Sequence, residues 1–104
     1  MERKLCETVK VDLPQGDCCL EYYLIKNSVL NLPPRIHLFT YGVEIIKRSC
    51  DNGEVLETKM ISDVCCSVIR MNNMISVLAR NTVTPMSLHD VIEDFLTEAE
   101  ALVE

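Results

Sequence analysis

The chain has 104 residues, of which 48% are hydrophobic and 25% are charged, a composition typical of one soluble globular domain and unlike that of a disordered chain. The net charge of −6 comes from the C-terminal segment, since positions 1–86 carry equal numbers of basic and acidic residues and no Lys or Arg follows. An acidic chain of this kind repels phosphate groups, which disfavours binding to nucleic acid or to an anionic membrane.

The first residues predict a β-hairpin. Residues 4–12 alternate Val9 and Val11 with polar side chains, and residues 18–26 form a run rich in β-branched and aromatic residues. The segment between them contains Pro and Gly, which are typical of a turn.

A surface loop and a third strand are predicted next. Residues 27–34 contain a double proline and favour an irregular connection. Strand-like residues resume at about position 36, and Gly42 within them indicates either a bulge or a close approach of two backbones.

The dipeptide Asn52-Gly53 predicts a two-residue hairpin turn between the third and fourth strands. That turn fixes the cross-strand neighbours, and an Arg opposite a Glu would stabilise the pairing. The expected pairs are Cys50 with Val55, Arg48 with Glu57, and Ile45 with Met60. The residues expected to face the core are Val43, Ile45, Leu56 and Met60.

The hydrophobic period then changes from two to about 3.6, which predicts an amphipathic helix over about 63–80. Its apolar stripe comprises Val64, Val68, Met71, Ile75 and Leu78. Ser62 or Asp63 is the expected N-cap of this helix. Asn81 is expected at the C-terminal end of the helix, in a left-handed conformation.

The segment NTVTPMSLHDVIEDFL, at 81–96, predicts the start of a second helix over about 85–103. Either Thr84 caps the helix with Pro85 as its first residue, or Ser87 and Asp90 form a capping box. The apolar stripe of this helix comprises Leu88, Val91, Ile92, Phe95, Ala99, Leu102 and Val103.

Together these elements predict an α+β fold in a single domain, 1–104. About four antiparallel strands, in hairpin or meander order over about 4–61, are followed by two C-terminal amphipathic helices packed on one face of the sheet. If the two apolar stripes are not satisfied within one chain, we expect a symmetric homodimer.

The sequence also predicts a cytoplasmic location. The N-terminal segment lacks the unbroken apolar stretch of a secretion signal, and nowhere do about 18 apolar residues run together to cross a membrane. Because cytosolic thiols stay reduced, we expect the six cysteines to be free and mostly buried or half-buried.

No catalytic residue, metal site or cofactor is predicted. The adjacent pairs Cys18-Cys19 and Cys65-Cys66 cannot chelate one ion as a C-x-x-C motif does, since neighbouring side chains diverge on strands and helices. The two histidines, His37 and His89, lie in no catalytic signature, and no phosphate-binding glycine motif is present.

The acidic residues of the last helix are the candidate site for partner docking: Asp90, Glu93, Asp94, Glu98 and Glu100. A solvated surface is the simplest interpretation of such a set, but it can also attract a basic partner. The function we favour is a non-enzymatic protein-interaction or regulatory module in which the acidic last helix, or an exposed sheet edge, docks an unknown protein partner. Two alternatives stay open: a small-ligand or metal-binding protein using a pocket between sheet and helices, and a thiol-dependent enzyme or redox sensor.

Three segments resemble a family of small uncharacterised proteins, a domain of unknown function in clostridia and related gut Gram-positive bacteria. They are YGVEIIKR at 41–48, the DNGE turn, and LARNTVTPMSLHDVIEDFL at 78–96. The similarity covers roughly residues 18–96. The resemblance implies a bacterial cytoplasmic protein of one domain, with strands first and helices last, and it supplies no catalytic residue.

Overall fold

A computed structural model describes residues 1–29, 33 and 38–103, with side chains described up to position 97. Four strands precede two helices, as the α+β prediction requires. The strands are β1 (Glu2–Val11), β2 (Cys18–Ser28), β3 (Phe39–Ser49) and β4 (Val55–Cys65). The helices are α1 (Val68–Arg80) and α2 (Leu88–Val103), and the 3₁₀ turn Pro85–Ser87 leads directly into α2.

The four strands form one antiparallel sheet in the order β1-β2-β3-β4, which confirms the predicted meander. The predicted first hairpin is confirmed, although β2 continues to Ser28, into the segment expected to be a loop. Most of the rest of that loop, and His37, lie outside the described residues.

A bulge and a close approach of two backbones, the two features that Gly42 predicted, both occur at this position. The pairing of β3 with β4 shifts between Tyr41 and Val43, which is a bulge. A Cβ atom added to Gly42 would lie 2.1 Å from the carbonyl oxygen of Ile61 and 2.7 Å from Cα of Ser62. The two backbones therefore approach more closely here than any side chain allows.

The predicted two-residue turn between β3 and β4 is wrong. Residues 50–53 form a four-residue loop, which is closed by the Ser49 amide donating to the Glu54 carbonyl at 2.9 Å. The Asn52 side chain accepts from the Glu54 amide at 2.9 Å, and Gly53 takes the left-handed φ of +72°. These local hydrogen bonds stabilise the longer turn.

The longer loop and a further irregularity between Lys47 and Arg48 together shift the strand pairing by one residue along most of β4. The observed pairs are Lys47 with Glu57, Ile45 with Lys59, and Glu44 with Met60, while Arg48 lies opposite Val55. A one-residue shift exchanges the two faces of a strand. Val43 and Ile45 are buried as expected, but Leu56 and Met60 are 50% and 42% exposed, so their assignment to the core is wrong.

The predicted start of the first helix is also wrong. Cys65 still pairs with Tyr41, so β4 extends past Ser62 and Asp63, and neither residue is an N-cap. The N-cap is Ser67, whose hydroxyl accepts from the Arg70 amide at 3.2 Å. Val64 has helical spacing from Val68 but lies in β4, because pairing with β3 satisfies the backbone hydrogen bonds of this segment.

The end of α1 differs in one detail from the prediction. Asn81 is the C-cap, and its side chain donates to the Val77 carbonyl at 2.9 Å. Its own φ is −96°, and the left-handed residue is Thr82, with φ of +49°.

The second helical segment begins at Thr84 and Pro85, the position given by the first of the two predicted alternatives, but the Thr84 side chain makes no cap hydrogen bond. Thr84 is extended, with φ −90° and ψ 163°, and Pro85 is the first residue of the 3₁₀ turn. Ser87 lies inside that turn rather than before it, so it does not cap the helix.

The core lies between the sheet and the two helices. Its buried members are Leu20, Tyr22, Val43, Ile45, Met71, Met74, Ile75, Leu78, Ala79, Leu88 and Ile92. Both apolar stripes are therefore largely confirmed, except that Val68 is exposed and Val64 lies in β4. The side chains of Ala99, Leu102 and Val103 lie outside those described.

Tyr22 is a core side chain whose polar group forms a hydrogen bond between the sheet and the segment that connects the helices. It is fully buried, and its hydroxyl donates to the Val83 carbonyl at 2.8 Å, which ties β2 to the connection between the helices. Burial disfavours the charged phenolate and raises the pKa of Tyr22 to about 12.

We expect Tyr22→Phe to lower the free energy of unfolding by about 1–2 kcal/mol near neutral pH, because the Val83 carbonyl loses its donor. In the wild type, the raised pKa means that the contribution of Tyr22 is complete below about pH 10 and is lost as pH rises toward 12. Urea unfolding at several pH values measures both effects. The difference between wild type and Tyr22→Phe should shrink above about pH 10, whereas Tyr23→Phe, on the other sheet face, should not reproduce this loss.

Candidate functional site

The acidic residues predicted as a docking site lie on one exposed part of α2. The side chains of Asp90 and Glu93 are 88% and 64% exposed, and Asp94 is exposed as well. We call these three residues the acidic face. Glu98 and Glu100 lie further along α2, with side chains outside those described.

His89 belongs to the same surface, and its contacts were not predicted. Its Nε2 atom lies 3.6 Å from Oε1 of Glu93, and its Nδ1 atom lies 4.0 Å from Oδ1 of Asp90. The i, i+4 spacing of His89 and Glu93 is the sequence signal that could have shown the first contact. Only the protonated imidazole would partly neutralise the acidic face.

His89, Asp90 and Glu93 bring possible metal-ligating atoms within 4.8 Å of one another. All three side chains are exposed on one helical turn. A protein metal site normally orients its ligands through further hydrogen bonds and partial burial, and an exposed set has neither constraint. The arrangement therefore does not specify a metal centre.

A groove runs between β4 and the start of α2, next to the acidic face. Its volume is about 420 Å³, and we call it the β4 groove. The residues that line it are Glu57, Thr58, Lys59, Pro85, Met86 and His89. Pro85 is buried and packs the 3₁₀ turn against β4, whereas Met86 is 81% exposed at the rim. The lining thus combines two apolar residues with Glu57, Lys59 and His89, and the groove reaches the acidic face only through His89, which contacts Asp90 and Glu93.

The β4 groove follows an open sheet edge. Among the strands that the structure describes, β4 has a neighbour on one side only, because the strand order ends with it. Its Val55, Leu56 and Met60 are all partly exposed. An edge strand of this kind presents unpaired backbone amides and carbonyls that can pair with another extended segment.

A second, smaller cavity lies at the other end of the sheet, between β1 and the start of α1. Its volume is about 210 Å³, below the roughly 300–1,000 Å³ of typical small-molecule sites. It is lined by Glu2, Arg3, Lys4, Leu24, Lys26, Tyr41 and Val68. A pocket between sheet and helices therefore exists, but its size gives little support to the small-ligand alternative.

The sheet face opposite the helices carries a network of charged and aromatic side chains. Arg48 donates to Glu21 at 2.8 Å, and the Tyr23 hydroxyl donates to the same carboxylate at 3.2 Å. The Arg3 guanidinium lies over the Tyr23 ring, 4.3 Å from its centroid. Arg3 also forms an ion pair with the buried Oε1 atom of Glu44 at 2.9 Å, although the two groups are not aligned for a hydrogen bond. The hydrogen bond and charge of Glu21 raise the pKa of Arg48. Because the charges on this face are paired internally, it is a weaker docking candidate than the acidic face.

All six cysteines are free, as predicted. Cys18 is buried, but Cys50 and Cys66 are exposed, so the expected burial is wrong for those two. Cys18 and Cys19 point to opposite faces of β2, and Cys19 instead meets Cys50, with 3.0 Å between the Sγ atoms. Sequence reasoning missed this contact because it compared adjacent cysteines rather than cysteines on paired strands.

The fold and the site define a small α+β protein with an acidic terminal helix beside an open edge strand. The chain belongs to a family of unknown function, DUF6514, whose model matches residues 2–98. This confirms the predicted membership of an uncharacterised family, while the clostridial range stays a prediction. No curated protein and no solved structure matches the chain significantly. Among the described residues, no helix is long and apolar enough to span a membrane.

Proposed function

We propose that this protein is a non-enzymatic interaction module that binds an extended, basic segment of a protein partner in the β4 groove. The observation that carries the proposal is a groove lined by the open edge strand β4 and by His89, which in turn contacts Asp90 and Glu93 of the acidic face. We further propose that it acts in the bacterial cytoplasm, where its thiols stay reduced.

The edge of β4 supplies the affinity in this proposal. A partner segment that adds as a fifth strand satisfies the free backbone groups of β4, and its alternate side chains enter the groove. Met86, which is 81% exposed, offers an apolar contact at the rim. Strand addition needs no particular partner sequence, so another feature has to select the partner.

The acidic face supplies that selection. No Lys or Arg follows position 86, so within that segment only His89, in its protonated form, competes for Asp90 and Glu93. Exposed carboxylates attract a basic segment and repel an acidic one, and they do so less strongly as salt rises. The predicted residues Glu98 and Glu100 would extend the same preference along α2.

We expect a peptide of alternating valine and lysine to bind the wild type, and the triple variant Asp90→Asn, Glu93→Gln, Asp94→Asn to bind it about tenfold more weakly. Each exposed ion pair contributes roughly 0.2–1 kcal/mol, and about 1.4 kcal/mol corresponds to tenfold in affinity. Fluorescence anisotropy gives the affinities. Amide chemical-shift changes should map to residues 57–59 and to the first turns of α2.

The matched control removes three acids at the opposite sheet edge: Glu2→Gln, Glu7→Gln and Asp12→Asn. It has the same net charge as the triple variant, and it should bind the peptide like the wild type. A peptide with N-methylated alternate residues cannot pair with β4 and should bind poorly. Equal weakening by both triple variants, or full binding of the methylated peptide, would refute the proposed site.

A second copy of the chain is the other occupant that the β4 edge can take, as the predicted homodimer would require. Sedimentation across a range of protein concentrations distinguishes the two cases. A dimer that dissociates when the basic peptide is added would place both occupants on β4. A dimer that is stable to the peptide would show that β4 is not available to a partner.

A further inference from the structure

We propose that Cys19 and Cys50 are a modification site, at which a low-molecular-weight disulfide oxidant converts the two thiols into a reversible disulfide. The disulfide would tie the β3–β4 loop to the start of β2. The two Sγ atoms lie 3.0 Å apart although the residues are 31 positions apart in the chain. This inference is independent of the proposed partner site.

The backbone holds the two thiols together. Cys19 lies opposite Arg48, so Cys50 follows two residues later, where β3 enters the loop. The Cys50 amide donates to the Asp17 carbonyl at 3.1 Å, which fixes the loop against the start of β2. A disulfide has an S–S distance of about 2.05 Å, so bond formation requires a movement of only about 1 Å.

The other described thiols are placed less favourably. Cys18 lies on the opposite face of β2, in a buried position. The Cys6 thiol donates to the Lys4 carbonyl at 3.6 Å, and the Cys65 thiol donates to the Ser67 carbonyl at 3.5 Å. Cys66 is exposed but follows Cys65 directly, and adjacent residues rarely satisfy disulfide geometry. The structure therefore favours one pair among the cysteines.

The reaction is a thiol–disulfide exchange in two steps. The thiolate of the exposed Cys50 attacks the small disulfide and releases one small thiol, which leaves a mixed disulfide. Cys19 then attacks the Cys50 sulfur and releases the second small thiol. Two protein thiols lose two electrons and two protons in total, and the oxidant is reduced to two thiols.

The pH dependence of this reaction follows from the thiol pair. The hydrogen bond with Cys19, with smaller contributions from burial and nearby charge, raises the pKa of Cys50 to about 11. Only the thiolate attacks, so Cys50 reacts slowly at neutral pH, and the rate should rise about tenfold per pH unit until the pH approaches 11. The site then responds to sustained oxidation rather than to a brief pulse.

Oxidised glutathione at about pH 8.5 is the probe. We expect the wild type to lose about 2 Da, and tryptic peptides 11–26 and 49–59 to be joined. Dithiothreitol should restore the original mass. Because the bond closes a loop of 31 residues, the oxidised form should melt roughly 10 °C or more above the reduced form.

Cys19→Ser and Cys50→Ser should each abolish the mass loss and the melting shift. Cys66→Ser is the matched control, since it removes an exposed thiol outside the pair, and it should behave like the wild type. Circular dichroism confirms that each variant is folded. Loss of about 2 Da by Cys19→Ser or Cys50→Ser at the wild-type rate, or a joined peptide containing Cys65 or Cys66, would overturn the assignment.

Discussion

Replacing Gly42 by Ala is expected to lower the free energy of unfolding by about 3 kcal/mol or more. The added Cβ would lie 2.1 Å from the Ile61 carbonyl oxygen and 2.7 Å from Cα of Ser62. Both contacts are with backbone, so no side chain can rotate away. The strands β3 and β4 would have to separate, which costs hydrogen bonds in the ladder as well as the contact itself.

Gly53→Ala is the matched control for this steric effect. Gly53 lies in the β3–β4 loop with φ of +72°, and nothing lies within 4 Å of an added Cβ. Its substitution should cost about 1 kcal/mol, from the left-handed backbone alone. Urea unfolding followed by circular dichroism measures both variants. Equal losses for the two would show that backbone conformation, rather than the approach of β4, limits position 42.

Position 42 also shows what a sequence can predict about this fold. A glycine inside a strand-like run indicates a bulge or a close approach, and here both occur. The Thr84-Pro85 start of the last helical segment was one of two alternatives that the sequence predicted. Both signals are local, because each depends on the conformation that one residue or two can adopt.

The register of β3 and β4 could not be predicted in the same way. Asn52-Gly53 suits a two-residue turn, but Asn52 instead accepts from the Glu54 amide, and the turn is two residues longer. The predicted pairing of Arg48 with Glu57 does not form, and Arg48 instead bonds to Glu21 on β2. That contact joins residues 27 positions apart in the chain, and the local pattern carried no sign of it.

The same distinction between local and long-range features applies to the candidate site. Exposure of Asp90, Glu93 and Asp94 follows from the apolar stripe of α2, so it was predictable. The β4 groove was not, because it depends on how the 3₁₀ turn packs against an edge strand. The contact of Cys19 with Cys50 likewise needs the β2–β3 register and the longer loop.

The attachment of α2 to the sheet depends on its first turn, where Leu88 is fully buried in the core. We expect Leu88→Ala to lower the free energy of unfolding by about 2–5 kcal/mol, through lost apolar burial and the cavity left behind. Thermal or urea unfolding measures this loss. Met86→Ala, two residues earlier and 81% exposed, is the matched control and should change stability by less than about 0.5 kcal/mol.

The comparison of these two variants also tests how the acidic face is positioned. Leu88 fixes the start of α2 from inside, whereas Met86 lies at the rim of the β4 groove. Leu88→Ala should therefore lower stability and also weaken peptide binding, because Asp90 and Glu93 lose their fixed distance from β4. Met86→Ala should weaken binding modestly at unchanged stability. If Leu88→Ala were no more destabilising than Met86→Ala, α2 would not be anchored to the sheet through Leu88. The start of α2 would then have no fixed position beside β4, and this result would contradict the proposed function.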